Sequence, residues 1–244
     1  MAEATGFETS HHHPAKTTDQ HQQELETFPS SSDQPRAGFK KYYMEYTTSR
    51  LNARLHLGSM AGIVEYYLHT ALTITAPQLL LRRGDNKQAP VVAFCKFQNL
   101  SRHSVLGRGD YEKQPAEELV WEDLHREKNI LRRSDYSFGT SDGPAAGAAG
   151  NGRAQYSWRK DRERLNRTVY DCVDEGGNVV ARMASGGAFN WKRAGDIEIV
   201  EGLGTQLEEW LIIGATAIWA YESLAYQSLL QGFENDKDDK KKKK

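Results

Sequence analysis

The feature that most constrains the fold is one apolar segment near the C-terminus, residues 205–230 of a 244-residue chain. Thr205 and Glu208 have the spacing of a capping box, which satisfies free amide donors at a helix start, and Gly232 is placed to end the helix. The middle turns are apolar on all faces, through residues that include Leu211, Ile212, Ile213, Ile218 and Trp219. A helix that is apolar all round is buried, either in a membrane or in a protein core.

The length of the segment decides between these two environments. Its uncharged run, Leu211–Tyr221, would be about 16 Å long as a helix, whereas a bilayer core is about 30 Å thick and needs roughly 20 apolar residues. Glu208, Glu209 and Glu222 stand close to the two ends of this run. The sequence therefore predicts no transmembrane span, and it predicts a sheet that curls around a buried helix.

Short segments rich in β-branched and aromatic residues, typical of strands, precede this helix. They are Ile63–His69, Ala71–Arg82, Val91–Phe97, Leu119–Leu124, Gln155–Arg159, Thr168–Val173, Asn178–Met183 and Asp196–Val200. Pro77 interrupts the second segment, which predicts either two strands or a bulged edge. Because no amphipathic helix lies between the segments, the pattern favours an antiparallel meander over βαβ units.

Three low-complexity regions set the domain bounds. Residues 1–38 are rich in Ser, Thr, Gln, His and Pro, which predicts a disordered N-terminal arm. Residues 139–152 are rich in Gly and Ala, which predicts a flexible insert. Residues 233–244 are rich in Lys, and we expect a disordered tail there. The sequence thus predicts one folded domain over residues 39–232.

Composition excludes several classes of protein. The net charge is -1 and the pI is about 6.7, so nucleic acid is not an expected partner, because phosphate binding needs a basic excess. The two cysteines exclude a disulfide-rich scaffold and a four-cysteine zinc site. Met1–Ser10 lacks the apolar stretch of a secretory signal, so we expect a cytoplasmic protein.

The sequence contains no recognisable catalytic or metal-binding pattern. The nucleophile-elbow motif Gly-x-Ser-x-Gly is absent, and no two histidines outside the arm stand three or four residues apart. Cys95 has apolar neighbours, as a packed side chain does. Glu122 and Asp123 are adjacent, so on a strand they point to opposite faces and cannot act as a pair. We therefore expect no catalytic residues, no metal and no cofactor.

Basic residues in the C-terminal half are the candidate binding groups. Residues 153–167 carry six basic and two acidic side chains, and Trp158 and Trp191, whose rings we expect to pack inward, are each followed by two basic residues. Two interpretations remain open: a site for an anionic lipid headgroup, or a solvated hairpin whose charges pair across strands. The candidates for the headgroup site are Arg159, Lys160, Arg162, Lys192 and Arg193.

The lysines at the C-terminus have three interpretations. Residues 240–244 are five consecutive lysines. Such a run binds an anionic membrane surface, serves as a nuclear address or keeps a disordered end in solution. Peripheral membrane or nuclear localisation is therefore open beside the cytoplasmic one.

Many short strands followed by one apolar C-terminal helix resemble the tubby C-terminal-like superfamily, which includes tubby domains, LURP-one-related plant proteins and phospholipid scramblases. The stretches that carry the resemblance are Val120–Asp123, Tyr156–Lys160, Asn190–Arg193, Asp196–Ile199 and the helix after Thr205. They look most like uncharacterised fungal members, over residues 40–232. The resemblance implies a mostly β fold: a closed antiparallel β-barrel of about twelve strands, threaded by the C-terminal hydrophobic helix.

The resemblance implies a non-enzymatic binding or adaptor module. Tubby domains bind phosphoinositide headgroups through paired Lys and Arg on the barrel, so the expected partner is an anionic membrane surface or a protein. Scramblases carry a cysteine cluster and an acidic calcium-binding loop, and this sequence has neither. The alternative function is an accessory protein of a fungal metabolic pathway without a catalytic site of its own.

Overall fold

The computed structural model describes the backbone of residues 36–49, 51–73, 75–98, 103–127, 134–142, 152–163, 167–186 and 192–242, with side chains in the last range as far as Ser223. These residues belong to one unit, Gln34–Lys244. The predicted N-terminal arm up to residue 35, most of the predicted insert and Trp191 lie outside the described residues.

Twelve strands form one closed barrel, and a long helix follows them. The strands are β1 Phe39–Tyr46, β2 Ala53–Leu57, β3 Val64–Thr70, β4 Leu79–Arg83, β5 Val91–Phe97, β6 Ser104–Arg108, β7 Val120–Arg126, β8 Tyr136–Thr140, β9 Ala154–Lys160, β10 Val169–Val173, β11 Val179–Ser185 and β12 Arg193–Val200. A short 3-10 helix, Ala116–Glu118, precedes β7, and helix α1 spans Thr205–Lys242.

The barrel closes because its first strand pairs with its last. β1 and β12 run antiparallel from Phe39 opposite Val200 to Glu45 opposite Arg193, and the remaining strands pair in chain order. Closure leaves no open sheet edge. This confirms the predicted fold class, a closed antiparallel β-barrel with the apolar C-terminal helix inside it.

Helix α1 fills the lumen of the barrel. Ile212, Ile213 and Ile218 lie on different sides of the helix, and all three are fully buried. They belong to one apolar core with inward-facing aromatic side chains of the strands, such as Tyr66 on β3 and Trp158 on β9. Burial stabilises by about 1.5–3 kcal/mol for each large apolar side chain, so helix and barrel depend on each other.

Four strands were not predicted from the sequence: β1, β2, β6 and β8. The glycines in β6 and β8 weaken the strand pattern. In β6 packing requires the glycine, because a Cβ on Gly107 would lie 1.9 Å from Cε2 of Phe94. In β8, Gly139 and Thr140 are strand residues, although the sequence placed them in a flexible insert. In the segment Ala71–Arg82, the strand begins at Leu79, after Pro77.

Helix α1 ends later than predicted. It begins at Thr205 as expected but continues past Gly232 to Lys242. A glycine inside a helix costs about 1 kcal/mol, which is too little to end a helix that continues on both sides. The part of α1 that follows Glu222 is about 30 Å long.

The start of α1 carries two buried glutamates that the barrel neutralises. We name this end of the barrel the upper end. Glu208 accepts hydrogen bonds from Lys40 Nζ at 2.9 Å and from the hydroxyl of Tyr42, and Glu209 pairs with Arg83. Carboxylates in the first turn also interact favourably with the helix dipole.

The two Arg-Gly-Asp sequences of the chain lie at this upper end. Arg83 ends β4 and pairs with Glu209, while Arg108 ends β6 with its Nε 2.9 Å from Oδ2 of Asp142. The same carboxylate oxygen accepts a hydrogen bond of 2.8 Å from the indole of Trp210 on α1. In each sequence the central glycine has a positive φ, so the tripeptides are turns that end a strand and direct its last arginine to the helix start.

A second set of charges fixes α1 at the opposite end, named the lower end. Glu222 accepts a hydrogen bond of 3.1 Å from Lys160 Nζ, and Nη2 of Arg126 lies 3.8 Å from it. Nη1 of Arg126 also donates to the hydroxyl of Tyr221 at 3.0 Å. The helix is therefore held by ion pairs at both ends of the lumen.

Replacing one core residue of α1 tests whether the helix is buried. Because Ile213 is fully buried, we expect Ile213→Ala to lower the free energy of unfolding by about 2–5 kcal/mol. Ile63→Ala is the matched control, since Ile63 is 81% exposed, and it should change stability by less than about 0.5 kcal/mol. Urea unfolding followed by circular dichroism measures both variants. Equally small losses would contradict a helix inside the barrel.

Replacing Arg83 tests the upper end. Burial raises the pKa of Glu209, and Arg83 opposes that shift, so Arg83→Ala should raise this pKa further. A carboxyl whose pKa is higher in the folded state than in the unfolded state stabilises the fold at low pH, and this contribution is lost as pH rises through the folded pKa. We therefore expect Arg83→Ala to cost about 2 kcal/mol near neutral pH and less in mild acid.

The pH dependence of that cost has its own control. In the background Glu209→Gln, position 209 carries no charge, so the cost of Arg83→Ala should be small and independent of pH. The cycle consists of the parent protein, Arg83→Ala, Glu209→Gln and the double variant. Urea unfolding of each at neutral and mildly acidic pH gives the cost of Arg83→Ala in both backgrounds. If Arg83→Ala costs the same at both pH values while Glu209 is unchanged, the loss of stability does not come from the Arg83–Glu209 ion pair.

Candidate functional site

The five candidate headgroup residues lie on two separate parts of the barrel. Arg159, Lys160 and Arg162 are at and just after the end of β9, while Lys192 and Arg193 are at the start of β12. β10 and β11 lie between them, and three strand spacings of about 4.8 Å separate the two groups by about 14 Å. The fold therefore does not gather all five side chains into one site.

Two of the five hold the barrel together. Lys160 binds Glu222 of α1, as described above. The guanidinium of Arg193 lies over the ring of Tyr43, 4.8 Å from its centroid, and 3.5 Å from Oδ1 of Asp196. Both cations thus combine with acidic groups of the same chain, which lowers their net attraction for an external anion.

Arg159 stands at the end of a row of alternating charges on the outer face. Asp171 on β10 lies between two arginines, because it is opposite Arg159 on β9 and opposite Arg182 on β11. Glu198 on β12 likewise lies between two cations, Arg182 on β11 and Lys41 on β1. Two hydrogen bonds, of 2.5 and 2.7 Å, join Arg182 to Asp171, and Lys41 Nζ is 3.1 Å from Glu198. These contacts are of the kind that the second interpretation of the basic region expected.

The remaining two candidates reach solvent at the lower end. Nη2 of Arg162 lies 3.5 Å from Asp135, and Nζ of Lys192 lies 3.4 Å from Glu45. The side chain of Lys192 is 79% exposed. Exposed ion pairs of this type contribute about 0–1 kcal/mol, so both cations can exchange their partner for another anion at little cost.

Exposed leucines share this end with the two cations. Leu72, in the connection from β3 to β4, is 87% exposed, and Leu51, between β1 and β2, is about half exposed. The two connections touch, because Oγ1 of Thr70 donates to the carbonyl of Leu51 at 2.5 Å. We name Leu51, Leu72, Arg162 and Lys192 the lower rim.

A groove opens on the side of the barrel where β7 and β8 separate. These strands are paired at His125–Ser137 and Arg126–Tyr136, whereas the other neighbouring strands are paired over four to seven positions in the described chain. A cavity of about 480 Å³ lies there. We name it the flank groove, and its main polar and aromatic lining is Trp121, Glu122, Asp123, His125, Arg153 and Gln155.

An ion pair between a buried carboxylate and a half-exposed guanidinium forms the floor of the flank groove. The carboxylate of Glu122 is buried and pairs with Arg153. Nη2 of Arg153 also donates to the carbonyl of Gly139 on β8 at 3.0 Å. Arg153 therefore connects β7 to β8 where the two strands are not paired. Burial raises the pKa of Glu122, an effect that Arg153 partly offsets.

One wall of the groove is the indole of Trp121, which is 39% exposed. Its ring packs nearly perpendicular to that of Phe94, with the centroids 4.8 Å apart, and lies 6.4 Å from Tyr111. Phe94 belongs to a small apolar cluster on the outer face of the barrel. Contacts between aromatic rings restrict their orientation, so Trp121 presents a fixed apolar surface to the groove.

Polar side chains border the groove beside this wall. Asp123 and His125 are exposed on the outer side of β7, with Nε2 of His125 3.9 Å from Oδ2 of Asp123. Glu122 is buried on the other side of the strand, which confirms the prediction that Glu122 and Asp123 point to opposite faces. Both still border the groove because β7 is not covered by β8 at this height.

Trp121, Glu122 and Asp123 stood out in the sequence, but the groove that they line was not predicted. Strand periodicity does not reveal where two strands separate, and Arg153 was considered only as one charge in a basic region. The available signal was its position directly after a long Gly-rich connection. Such a connection allows the strands it joins to move apart from their neighbours.

The two cysteines of the chain are packed in the core. Cys95 and Cys172 are fully buried, and burial raises the pKa of both thiols, which disfavours the reactive thiolate. Within the described ranges, no group of three or more His, Cys, Asp or Glu side chains is arranged to hold a metal ion. Among the residues that the structure describes, no helix has the length and apolar character needed to cross a membrane.

The titration of Glu122 tests the geometry of the groove floor. We expect the carboxyl of Glu122 to titrate above its ordinary pKa, and Arg153→Gln to raise this pKa further, because the replacement removes the neighbouring positive charge. Carbon-13 NMR of the side-chain carboxyls measures the shift, and Glu122→Gln assigns the signal. An unchanged titration in Arg153→Gln would mean that the pair is not formed.

Comparisons of the chain with protein-family models, with curated proteins and with solved structures found no match.

Proposed function

We propose that this protein is a non-enzymatic binding module that docks on an anionic lipid surface through its lower rim. The observation that carries the proposal is the shared position of exposed leucines and exposed cations at the end of the barrel where α1 leaves the lumen. Apolar side chains beside basic ones are the combination by which peripheral proteins bind the membrane interface.

The C-terminal part of α1 leaves the barrel at this end, and the sequence places lysines near its far end. The helix continues from Glu222 as far as Lys242, and the chain contains six lysines from Lys237 onwards. Each lysine near an anionic surface contributes about 1 kcal/mol. Four acidic residues between Glu234 and Asp239 offset part of this attraction, so the lysines need the rim as a second contact.

The leucines supply that second contact. Complete burial of one leucine side chain is worth about 1.5–3 kcal/mol, and stable attachment to a membrane generally requires two signals of different kinds. Arg162 and Lys192, at the same end of the barrel as the leucines, would bind phosphate groups as the leucines enter the interface.

The filled lumen favours recognition on the outside of the barrel. A barrel that carries a lipid inside needs an empty interior, and here α1 occupies it. The proposal keeps the headgroup binding that a tubby-like relationship implies. It assigns that binding to Arg162 and Lys192, rather than to all five basic candidates, because Lys160 and Arg193 bind acidic groups within the barrel.

Vesicle sedimentation tests the proposal. The full chain should sediment with vesicles that contain phosphatidylserine or a phosphoinositide, and much less with pure phosphatidylcholine. Leu72→Ser should weaken partitioning about tenfold, because it removes an apolar contact with the interface. Lys192→Gln should weaken it by about fivefold.

The upper end of the barrel provides matched controls. Ile63 is as exposed as Leu72, and Lys113 is as exposed as Lys192 and is also ion-paired, 3.7 Å from Asp110. Ile63→Ser and Lys113→Gln should therefore leave partitioning unchanged. Equal sedimentation with neutral and anionic vesicles, or equal losses at the two ends, would overturn docking through the lower rim.

A further inference from the structure

We propose that the flank groove is a binding site for a neutral saccharide, with the apolar face of a pyranose ring on Trp121. This proposal is independent of the lower rim, because the groove lies on the side of the barrel, between β6 and β9. It concerns a site where an aromatic wall, an ion pair with a buried carboxylate and several exposed polar groups meet in one cavity.

The charges around the groove favour a ligand without net charge. An anion would meet the carboxylates of Glu122 and Asp123, and Arg153 is already paired with Glu122. A cation would find Glu122 neutralised by that arginine, and Asp123 is exposed to water, which weakens its attraction. A neutral polar ligand is not repelled by the two carboxylates and does not depend on a net negative charge.

The polar groups match a sugar ring in their geometry. The side chains of Glu122, Asp123, Arg153 and Gln155 each present two donor or acceptor atoms in one plane. Two adjacent hydroxyls of a sugar bind such a planar pair in a two-point contact, because each hydroxyl both donates and accepts. The lining includes acceptors on β7 and donors on or next to β9, on the two sides of the opening.

Trp121 supplies the apolar part of the site. One face of a pyranose carries mainly C–H bonds, and such a face packs on the π-system of an aromatic ring. The indole is held by Phe94 and Tyr111, so it need not be ordered when a ligand binds. Its remaining 39% exposure is the largest among the tryptophans whose side chains are described.

The size of the groove suits a short saccharide. Small-molecule sites commonly have volumes of about 300–1,000 Å³, and the flank groove has about 480 Å³. The carboxylate of Glu122 is buried, while the side chain of Arg153 is 46% exposed, so a ligand in the groove would replace water at the guanidinium of Arg153. Hydrogen bonds to charged groups of this kind contribute strongly to recognition.

Saturation-transfer difference NMR on the full chain tests the proposal. The probes are glucose, galactose, mannose, N-acetylglucosamine, maltose and cellobiose, with choline as a cationic probe and methyl phosphate, whose C–H protons can be observed, as an anionic one. We expect transfer to at least one of the sugars, strongest for the C–H protons on one face of a ring, and none to choline or methyl phosphate. Transfer to choline or methyl phosphate alone would overturn the proposal.

Variants connect the signal to the groove. Asp123→Asn should weaken sugar binding about tenfold, and its fold should be unaffected because Asp123 is exposed. Asp85→Asn, at an exposed aspartate of the upper end, is the matched control and should bind like the parent chain. Trp121→Ala should abolish the transfer, and its circular dichroism spectrum checks that the barrel remains folded.

Two further results would overturn the saccharide site. One is the absence of transfer to every sugar in the panel. The other is transfer that Asp123→Asn and Asp85→Asn reduce equally, since the bound sugar would then lie outside the groove.

Discussion

The burial of α1 inside the barrel is the constraint on which the rest of the structure depends. A barrel of eight strands has an interior that its own side chains just fill. This barrel has twelve strands, and its wider interior needs additional apolar volume. A helix that is apolar on every side meets that need, and the closed sheet in turn removes such a helix from water. Neither element has a stable alternative without the other.

Because the helix occupies the lumen, the ion pairs that hold it lie at the two ends of the barrel. At the upper end Glu208 and Glu209 meet Lys40 and Arg83, and at the lower end Glu222 meets barrel cations. These pairs oppose axial movement of the helix, since a shift would separate its carboxylates, two of which are buried, from their cations. On the outer face, charges of opposite sign alternate across strands and leave little net field.

Periodicity explains why some of the sequence predictions succeeded. The strand segment Val91–Phe97 coincides with β5, and α1 begins at Thr205 as expected. The predicted capping box has other partners, because the amide of Glu208 donates to the carbonyl of Gly204 and its carboxylate binds Lys40 and Tyr42. Predictions were wrong or missing where a local pattern was overridden by tertiary contacts. Gly107 sits in a strand because Phe94 covers it, and Gly232 lies within α1 although its type favours a helix end. The basic residues of β9 could be counted from the sequence, but their acidic partners on other strands could not be identified.

The sequence by itself determined the buried helix, the absence of long amphipathic helices among the strands, and therefore the curled antiparallel sheet. These properties follow from side-chain types at fixed spacing along one segment, which local geometry alone controls. Only the tertiary structure decided which of the basic side chains remain exposed, which leucines share their end of the barrel, and where β7 and β8 separate. Those properties depend on the register of strands that are far apart in the chain, and register is set by packing of the whole barrel around α1.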